Sequence, residues 1–230
     1  MCPQSIGLRY SDAEVAAYTG LSMRSDPASD RLNELLAEAN LRILQLSQAK
    51  QFNDHLSLIL RWNARTNLTS VRDPETILAR HFAESIACAQ TLPPGIATLL
   101  DYGSGAGFPG IPIAICRPEI AVTLAESQGK KAAFLQEAIR ITGIAAKVHS
   151  GRAETLTTQF ECVTLRAVEK MEQAVKSAAY LVAPNGWIAI LTTHDHFPAL
   201  RTAATPSFHW STPHPLTGSE SRILALARKS

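Results

Sequence analysis

A glycine-rich segment in the middle of the chain is the clearest candidate for a functional site. It reads Asp101-Tyr102-Gly103-Ser104-Gly105-Ala106-Gly107 and directly follows a short apolar stretch. Glycine adopts positive φ angles without strain and lets the backbone approach a ligand closely. Because ligands of parallel α/β sheets lie at the carboxyl ends of the strands, alternating glycines at this place indicate a loop that binds a nucleotide or a nucleoside.

An acidic residue further along the chain supports a ligand that contains a ribose. Glu126 ends a second apolar stretch, 23 residues after Gly103. Its carboxylate has two acceptor oxygens and can take both hydroxyl groups of a ribose. Sites for NAD and for S-adenosylmethionine share this device, so Glu126 predicts the ribose without choosing between the two ligands.

Three features of the loop favour S-adenosylmethionine over a dinucleotide, although the glycine spacing also fits the dinucleotide fingerprint. Asp101 precedes the glycines, and a carboxylate suits a cationic amine better than a pyrophosphate. Pro109 and Pro112 remove amide donors that a phosphate would use. No lysine follows the loop as one does in a P-loop. S-adenosylmethionine carries a sulfonium, an ammonium and a carboxylate, and it has no phosphate.

The pattern around the loop predicts an α/β fold that positions these residues at one edge of a sheet. We predict strands at 97–101, 121–126, 146–149, 162–165 and 187–192, with helices at 130–142 and 171–182. Strands that alternate with helices imply a parallel sheet covered on both faces. Two strand-like runs, at 208–211 and 222–227, then suggest a final antiparallel hairpin.

A helical segment precedes this core. Asp26 is a candidate N-cap with Pro27 at the first helical position, and apolar residues at helical spacing predict a helix that continues to Leu46. Further helices are expected around Phe52–Trp62 and from about Pro74 to Leu92. The expected organisation is an N-terminal arm or disordered tail over 1–26, a helical extension over 27–94 and a core over 95–230.

Charge and composition limit which partners, metals and compartment are expected for the protein. The net charge of +2, from 22 basic and 20 acidic side chains, does not by itself indicate a nucleic-acid binder. Any RNA surface must come from local clustering, for which Arg61, Arg65, Arg72 and Arg80 are the candidates. The four cysteines form no metal-binding pattern, and no metal is expected. Because no signal peptide or membrane-spanning run is visible, we expect a cytoplasmic protein without a membrane partner.

Several segments, in order, resemble the rRNA small subunit methyltransferase G family, also called glucose-inhibited division protein B. The resemblance covers roughly residues 50–192. The matching segments are Asn67-Leu68-Thr69-Ser70-Val71, Arg80-His81 with Ser85, residues 101–112, residues 123–127, residues 130–135, residues 151–154 and Arg166-Ala167.

This resemblance implies a Rossmann-like class I methyltransferase fold, with a seven-stranded, mostly parallel sheet, an antiparallel C-terminal hairpin and an N-terminal helical extension. It implies S-adenosyl-L-methionine as the cofactor and N7 of a guanosine in 16S ribosomal RNA as the methyl acceptor. The expected partner is this RNA or the small-subunit particle, and we expect a monomer. Guanine N7 has an in-plane lone pair and no proton, so no general base is expected.

The resemblance also assigns residues. It places cofactor contacts at Gly103, Phe108, Ala153, Glu154 and Arg166, and it places Arg166 at the methyl-transfer site in a positioning role. Together with the residues inferred from the loop itself, the expected cofactor set is Asp101, Gly103, Gly105, Gly107, Phe108, Glu126, Ala153, Glu154 and Arg166. His81 joins the four arginines as a candidate contact for RNA.

Two departures from the family pattern leave alternatives open. Tyr102 stands where the family usually has valine, and the run Leu191-Thr192-Thr193-His194 lacks a lysine that relatives commonly have. One alternative is a methyltransferase with the same cofactor that acts on another RNA or on a small molecule. Another is a non-catalytic protein of this fold that binds RNA or the ribosome. An NAD-dependent oxidoreductase is the alternative that the loop favours least.

Overall fold

A computed structural model describes residues 27–66, 68–204, 207–216 and 218–230. The expected N-terminal arm over 1–26, the candidate cap Asp26 and Asn67 of the family-like segment lie outside this part of the chain.

The described residues form one mixed sheet. Its strands are β1 (Thr98–Tyr102), β2 (Ala121–Ala125), β3 (Ala146–His149), β4 (Phe160–Arg166), β5 (Val182–Thr193), β6 (Phe208–Trp210), β7 (His214–Pro215) and β8 (Arg222–Lys229). The order is β3-β2-β1-β4-β5-β8-β6, and β7 also pairs with β8. Strands β1 to β5 are parallel, whereas β8 is antiparallel to its neighbours. Because β6 and β7 pair with successive parts of β8, they form one interrupted strand, and the predicted fold class is confirmed.

Helices precede the sheet and connect its strands. They are α1 (Pro27–Glu38), α2 (Leu46–Asn63), α3 (Pro74–Ile77), a π-helical stretch (Leu78–Ala83), α4 (Glu84–Thr91), α5 (Gly110–Cys116), α6 (Gly129–Thr142), α7 (Met171–Leu181) and α8 (Phe197–Ala203). Helix α8 has no counterpart in the sequence prediction. Among the helices of the described part, none combines the length and the apolar composition needed to cross a bilayer.

The prediction that the first helix continues to Leu46 is wrong. Helix α1 ends at Glu38, and Asn40 has a φ of 55°, in the left-handed region that asparagine tolerates. The amide of Leu41 then donates to the carbonyl oxygen of Leu36 at 2.8 Å, which satisfies a helix-end acceptor. The turn redirects the chain, so Ile43 and Leu46 are 63% and 71% exposed rather than part of an apolar face.

Each face of the sheet packs against its own hydrophobic core. Leu99 points to the face that α1, α2, the π-helical stretch and α4 to α6 cover, where it joins a cluster with Phe82 and Phe134. Leu100, its neighbour in β1, joins the opposite cluster with Val175 of α7. Successive strand residues alternate between the two faces of a sheet. The helical extension therefore packs on the same face as α6, where it reaches the glycine loop.

His55 of α2 connects the helical extension to the glycine loop. The ring is fully buried, with its centroid 5.2 Å from that of Phe108 and 5.3 Å from that of Phe82. Its Nε2 lies 3.0 Å from the carbonyl oxygen of Ala106, which can only accept, so Nε2 carries the proton. Burial lowers the pKa of His55 from 6.5 to about 4, because the apolar surroundings disfavour the imidazolium.

This burial predicts a pH-dependent contribution to stability. Between pH 6.5 and about 4 the unfolded chain binds a proton at His55 and the folded chain does not, so stability falls as the pH falls. In H55Q this contribution is absent. As the pH is lowered through this range, we expect the unfolding free energy of wild type minus that of H55Q to fall by about 1.4 kcal/mol for each pH unit. Urea denaturation at several pH values measures it, and parallel curves for the two proteins would contradict the assignment.

Candidate functional site

A cleft opens at the carboxyl ends of β1, β2 and β4. It consists of two adjoining cavities of about 370 Å³ and 470 Å³. The first cavity is lined mainly by Tyr102, Arg152, Ala153, Glu154, Lys170 and Gln173. The second cavity is lined mainly by Thr69, His81, Phe108, Lys131 and Arg166. Gly103, Glu126, Ser127, Val168 and Glu169 border both cavities, so a ligand in one lies next to a ligand in the other.

The glycine loop forms the wall between the strands and the cleft. Gly103 has a φ of 72°, and a Cβ atom at this position would lie 3.1 Å from Cγ2 of Val168. At Gly110, just after the loop, a Cβ atom would collide with Leu124 and lie 2.6 Å from Oδ2 of Asp101. The first glycine keeps the cleft open, and the second lets α5 begin directly against β1 and β2.

Six backbone amides in and directly after the glycine loop are already hydrogen-bonded inside the protein. The bonds run from Gly103 and Ser104 to the carbonyl oxygen of Ala125, from Gly105 to Glu126, from Gly107 and Phe108 to the carbonyl oxygen of Ser104, and from Gly110 to Asp101. A pyrophosphate bound at a glycine loop needs such amides as free donors. These six amides therefore bind acceptors within the protein and are not free to bind a phosphate.

Asp101 lies beneath the loop rather than in the lining of the cleft. Its Oδ1 accepts a hydrogen bond from the hydroxyl of Thr164 at 2.9 Å, and its Oδ2 accepts one from the amide of Gly110 at 3.0 Å. Burial raises the pKa of this carboxyl to about 6, against the opposing effect of its hydrogen bonds. In this geometry Asp101 ties β1 to β4 and to the start of α5, a supporting position for the loop.

Glu126 borders both cavities. Its Oε2 accepts from the amide of Gly105 at 3.0 Å and its Oε1 from the amide of Gln128 at 2.8 Å, which orients the carboxylate at the end of β2. Each oxygen retains a further lone pair for a ligand hydroxyl. With Glu154 and Glu169, it gives the first cavity three carboxylates against two cationic side chains. This charge balance suits a ligand with positive groups better than a phosphate.

Ala153 and Glu154 lie in a short 3-10 turn (Ala153–Thr155) after β3 and line the first cavity with Gly103 and Glu126. The structure thus brings together four of the expected cofactor residues. Phe108 and Arg166 line the second cavity, and Gly105 borders it as well. Gly107, in contrast, is not part of either lining.

Arg166 is held tightly at the back of the second cavity. Its side chain is 11% exposed. Nη1 of its guanidinium donates to the carbonyl oxygen of His81 (3.3 Å) and to Oγ of Ser85 (3.3 Å). Nη2 faces the carbonyl oxygen of Arg80 (2.5 Å), Oε2 of Glu84 (2.9 Å) and Nδ1 of His81 (3.1 Å), so its two hydrogens are shared among three acceptors. These contacts tie β4 to the π-helical stretch and α4. They make Arg166 a residue that positions its neighbours.

Glu84 is a residue that sequence reasoning missed. Its carboxylate is 1% exposed and forms ion pairs with Arg166 and with Arg222 of β8. Burial raises the pKa of Glu84, whereas the two arginines oppose that shift. The available signal was a lone carboxylate between Phe82 and Ile86 of a predicted apolar helix face, because a buried charge requires a partner.

His81 forms one wall of the second cavity. Its ring stacks on Phe108 with centroids 5.0 Å apart and an interplanar angle of 28°. Burial and three nearby arginines, foremost Arg166, lower the pKa of His81 to about 3. The imidazole is therefore neutral, with Nδ1 facing Arg166 at 3.1 Å and Nε2 facing the hydroxyl of Thr69 at 3.2 Å.

The four candidate RNA arginines do not gather at the cleft. Arg61 and Arg65 line a separate cavity with Trp62, and Arg61 is 64% exposed and lies 3.4 Å from a carboxylate oxygen of Glu137. The side chains of Arg72 and Arg80 are exposed, and neither lines one of the two cavities. The cationic side chain that does line the second cavity beside Arg166 is Lys131 of α6. Over the described ranges, no group of three or more His, Cys, Asp or Glu side chains is arranged to hold a metal.

Comparison with solved structures shows the fold. A ribosomal protein L11 methylase from Lactobacillus delbrueckii subsp. bulgaricus superposes with a TM-score of 0.55 at 13% identity, over 69% of this chain and 80% of that one. A predicted O-methyltransferase from Agrobacterium tumefaciens gives a TM-score of 0.54 at 17% identity, over 64% and 81% of the two chains.

Comparison of sequences identifies the family. A relative from Xanthomonas oryzae pv. oryzae, named ribosomal RNA small subunit methyltransferase G, is 39% identical over 155 residues, which are 66% of this chain and 71% of the relative. A relative of the same name from Roseiflexus sp. is 43% identical over 135 residues, 56% and 58% of the two chains. The family model described as rRNA small subunit methyltransferase G matches residues 48–208. Because this match covers more than half of the chain, the chain belongs to the rRNA small subunit methyltransferase G family.

Proposed function

We propose that this protein transfers the methyl group of S-adenosyl-L-methionine to N7 of a guanosine in 16S ribosomal RNA. The observation that carries the proposal is the pair of cavities that share Gly103, Glu126 and Val168. A nucleoside cofactor in the first cavity would face a base in the second across this common border. The family to which the chain belongs supports the same reaction.

The first cavity fits the cofactor by the chemistry of its groups. Glu126 has a free lone pair on each oxygen for the two ribose hydroxyls, and Ala153 and Glu154 would lie on the adenine side. Six amides in and directly after the glycine loop are already bonded within the protein, which suits a ligand without phosphate. When bound, S-adenosylmethionine supplies an electrophilic methyl group on a positively charged sulfur.

The second cavity fits an acceptor that needs orientation and no general base. Guanine N7 would attack with its lone pair, so a nitrogen–carbon bond would form while the sulfur–carbon bond of the bound cofactor breaks, and no proton would have to be removed. His81 is neutral and both its ring nitrogens are hydrogen-bonded, which suits a wall better than a base. Phe108 stacks on this ring and Arg166 fixes it, so the protein's task is to hold the base and exclude water.

Basic side chains would position the RNA outside the cleft. Lys131 borders the second cavity, and we assign Arg61, Arg65, Arg72 and Arg80 to contacts with phosphate groups. Such contacts fix the register of the RNA without reading its sequence. The substrate is 16S RNA, either free or within the small-subunit particle.

The activity is tested by incubating the protein with labelled S-adenosylmethionine and unmethylated small-subunit RNA, in parallel with the unmethylated particle. We expect label at N7 of a guanosine, found by nucleoside analysis of the digested RNA. If the folded protein labels only small molecules or other RNAs, the proposed substrate is wrong. RNA binding without any transfer, and without affinity for S-adenosylhomocysteine, would show a non-catalytic binding protein.

The assignment of Glu126 to the ribose is tested by E126A. We expect this variant to bind S-adenosylhomocysteine about 10- to 100-fold more weakly in calorimetric titration, because hydrogen bonds to two hydroxyls are lost. The matched control is E119A, because Glu119 lies just before the first residue of β2, at the end of the strand away from the cleft, and is 57% exposed. Wild-type affinity in E126A, or an equal loss in E119A, would refute the assignment. Tight binding of NAD to the wild type would instead favour a dehydrogenase.

A further inference from the structure

The hydrogen bonds around His81 determine which of its nitrogens carries the proton. The guanidinium of Arg166 has only donors, and its Nη2 lies 3.1 Å from Nδ1 of His81. Nδ1 is therefore the acceptor in this contact and has no proton. Because a neutral imidazole carries one N–H group, the proton of His81 lies on Nε2. The low pKa of His81 agrees with a neutral ring.

The same reasoning determines the role of the Thr69 hydroxyl. Nε2 of His81 lies 3.2 Å from Oγ1 of Thr69 and, as the protonated nitrogen, donates to it. The amide of Val71 also donates to Oγ1, at 3.1 Å. A hydroxyl oxygen has two lone pairs and one proton. Both lone pairs of Thr69 are therefore engaged, and the only hydrogen bond that its hydroxyl can still make is as a donor.

This donor is accessible to a ligand. Thr69 is half-buried and lines the second cavity together with Phe108 and Arg166. Within the described part of the chain, the hydroxyl of Thr69 makes no hydrogen bond to another protein acceptor. The ring of His81, which stacks on Phe108 and bonds to Arg166, keeps Oγ1 in place.

The edge of a purine that carries N7 presents one other polar group. In guanine this group is the acceptor O6, and in adenine it is the amino group N6, a donor. The lone pair of N7 must remain free to attack the methyl group, so a protein can identify the base on this edge only through its neighbour. A group that can only donate binds O6 and repels N6.

We propose that the Thr69 hydroxyl, held as a donor by His81 and Val71, binds O6 of the target guanine and thereby selects guanine over adenine. The inference rests on the proposed transfer to guanine N7. A neutral donor also suits the reaction, because the base gains a positive charge as N7 is methylated. The chain Arg166–His81–Thr69 thus connects a buried ion pair to the choice of substrate base.

The test compares two bases at the mapped target position of a small-subunit RNA: guanosine, and 2-aminopurine riboside, which keeps N7 and the 2-amino group and lacks O6. The variants are T69V, which removes the hydroxyl at nearly the same size, and T69S, which retains it. For each protein, the ratio of kcat/KM for guanosine to that for 2-aminopurine is measured. Damage to the loop in general lowers both values and leaves this ratio unaffected.

We expect a high ratio for wild type and T69S, and in T69V a ratio lower by about 10- to 100-fold, as for one lost hydrogen bond in a buried site. A T69V ratio equal to that of wild type would overturn the assignment of Thr69, and so would a T69S ratio as low as that of T69V. If wild type methylates no guanine N7, the proposed function itself fails. Methylation of N7 with an unaltered T69V ratio refutes this inference alone.

Discussion

The buried carboxylate of Glu84 requires compensation, because a charge removed from water is costly unless it is paired and hydrogen-bonded. Arg166 and Arg222 provide that compensation, and they come from β4 and β8. The ion pairs therefore join the helical extension to two separate strands of the sheet. Removing one arginine would leave a buried charge without a full partner, so the three residues depend on one another. The remaining donors of Arg166 then fix the backbone at Arg80 and the ring of His81.

The glycine loop depends on a second set of internal contacts. Asp101 holds its far end, the carbonyl oxygen of Ala125 holds its beginning, and His55 of α2 holds the carbonyl oxygen of Ala106. The loop is thus preorganised before any ligand arrives, which lowers the cost of binding. The same contacts engage amides that a dinucleotide would need. A formal match to a dinucleotide fingerprint therefore describes glycine spacing, and the hydrogen bonds decide the class of ligand.

The candidate site residues differ in what their side chains contact once the chain is folded. Arg166 lines the second cavity, and most of its donors are engaged by the π-helical stretch and α4. Arg61 and Arg65 flank Trp62 in a cavity of their own, whereas Lys131 borders the cleft. Proximity in the sequence therefore does not decide whether a basic side chain faces the cleft or a neighbouring helix.

Local periodicity and glycine placement are enough to predict the strand–helix alternation, the antiparallel end of the sheet and the position of the glycine loop. The place of Glu126 at the end of a second strand likewise predicts that it lies near Gly103, because the carboxyl ends of parallel strands meet at one edge. Ala153 and Glu154 were added to this set by the family resemblance, and all four residues line the first cavity. The end of α1 at Glu38 was not predicted from the sequence, because the apolar pattern continues beyond Asn40, where the helix has already ended. The chain of contacts from Glu84 through Arg166 and His81 to Thr69 becomes evident in the folded structure alone. Long-range pairing of buried polar groups has no local sequence period, and it depends on which side chains the packed elements bring within hydrogen-bond distance.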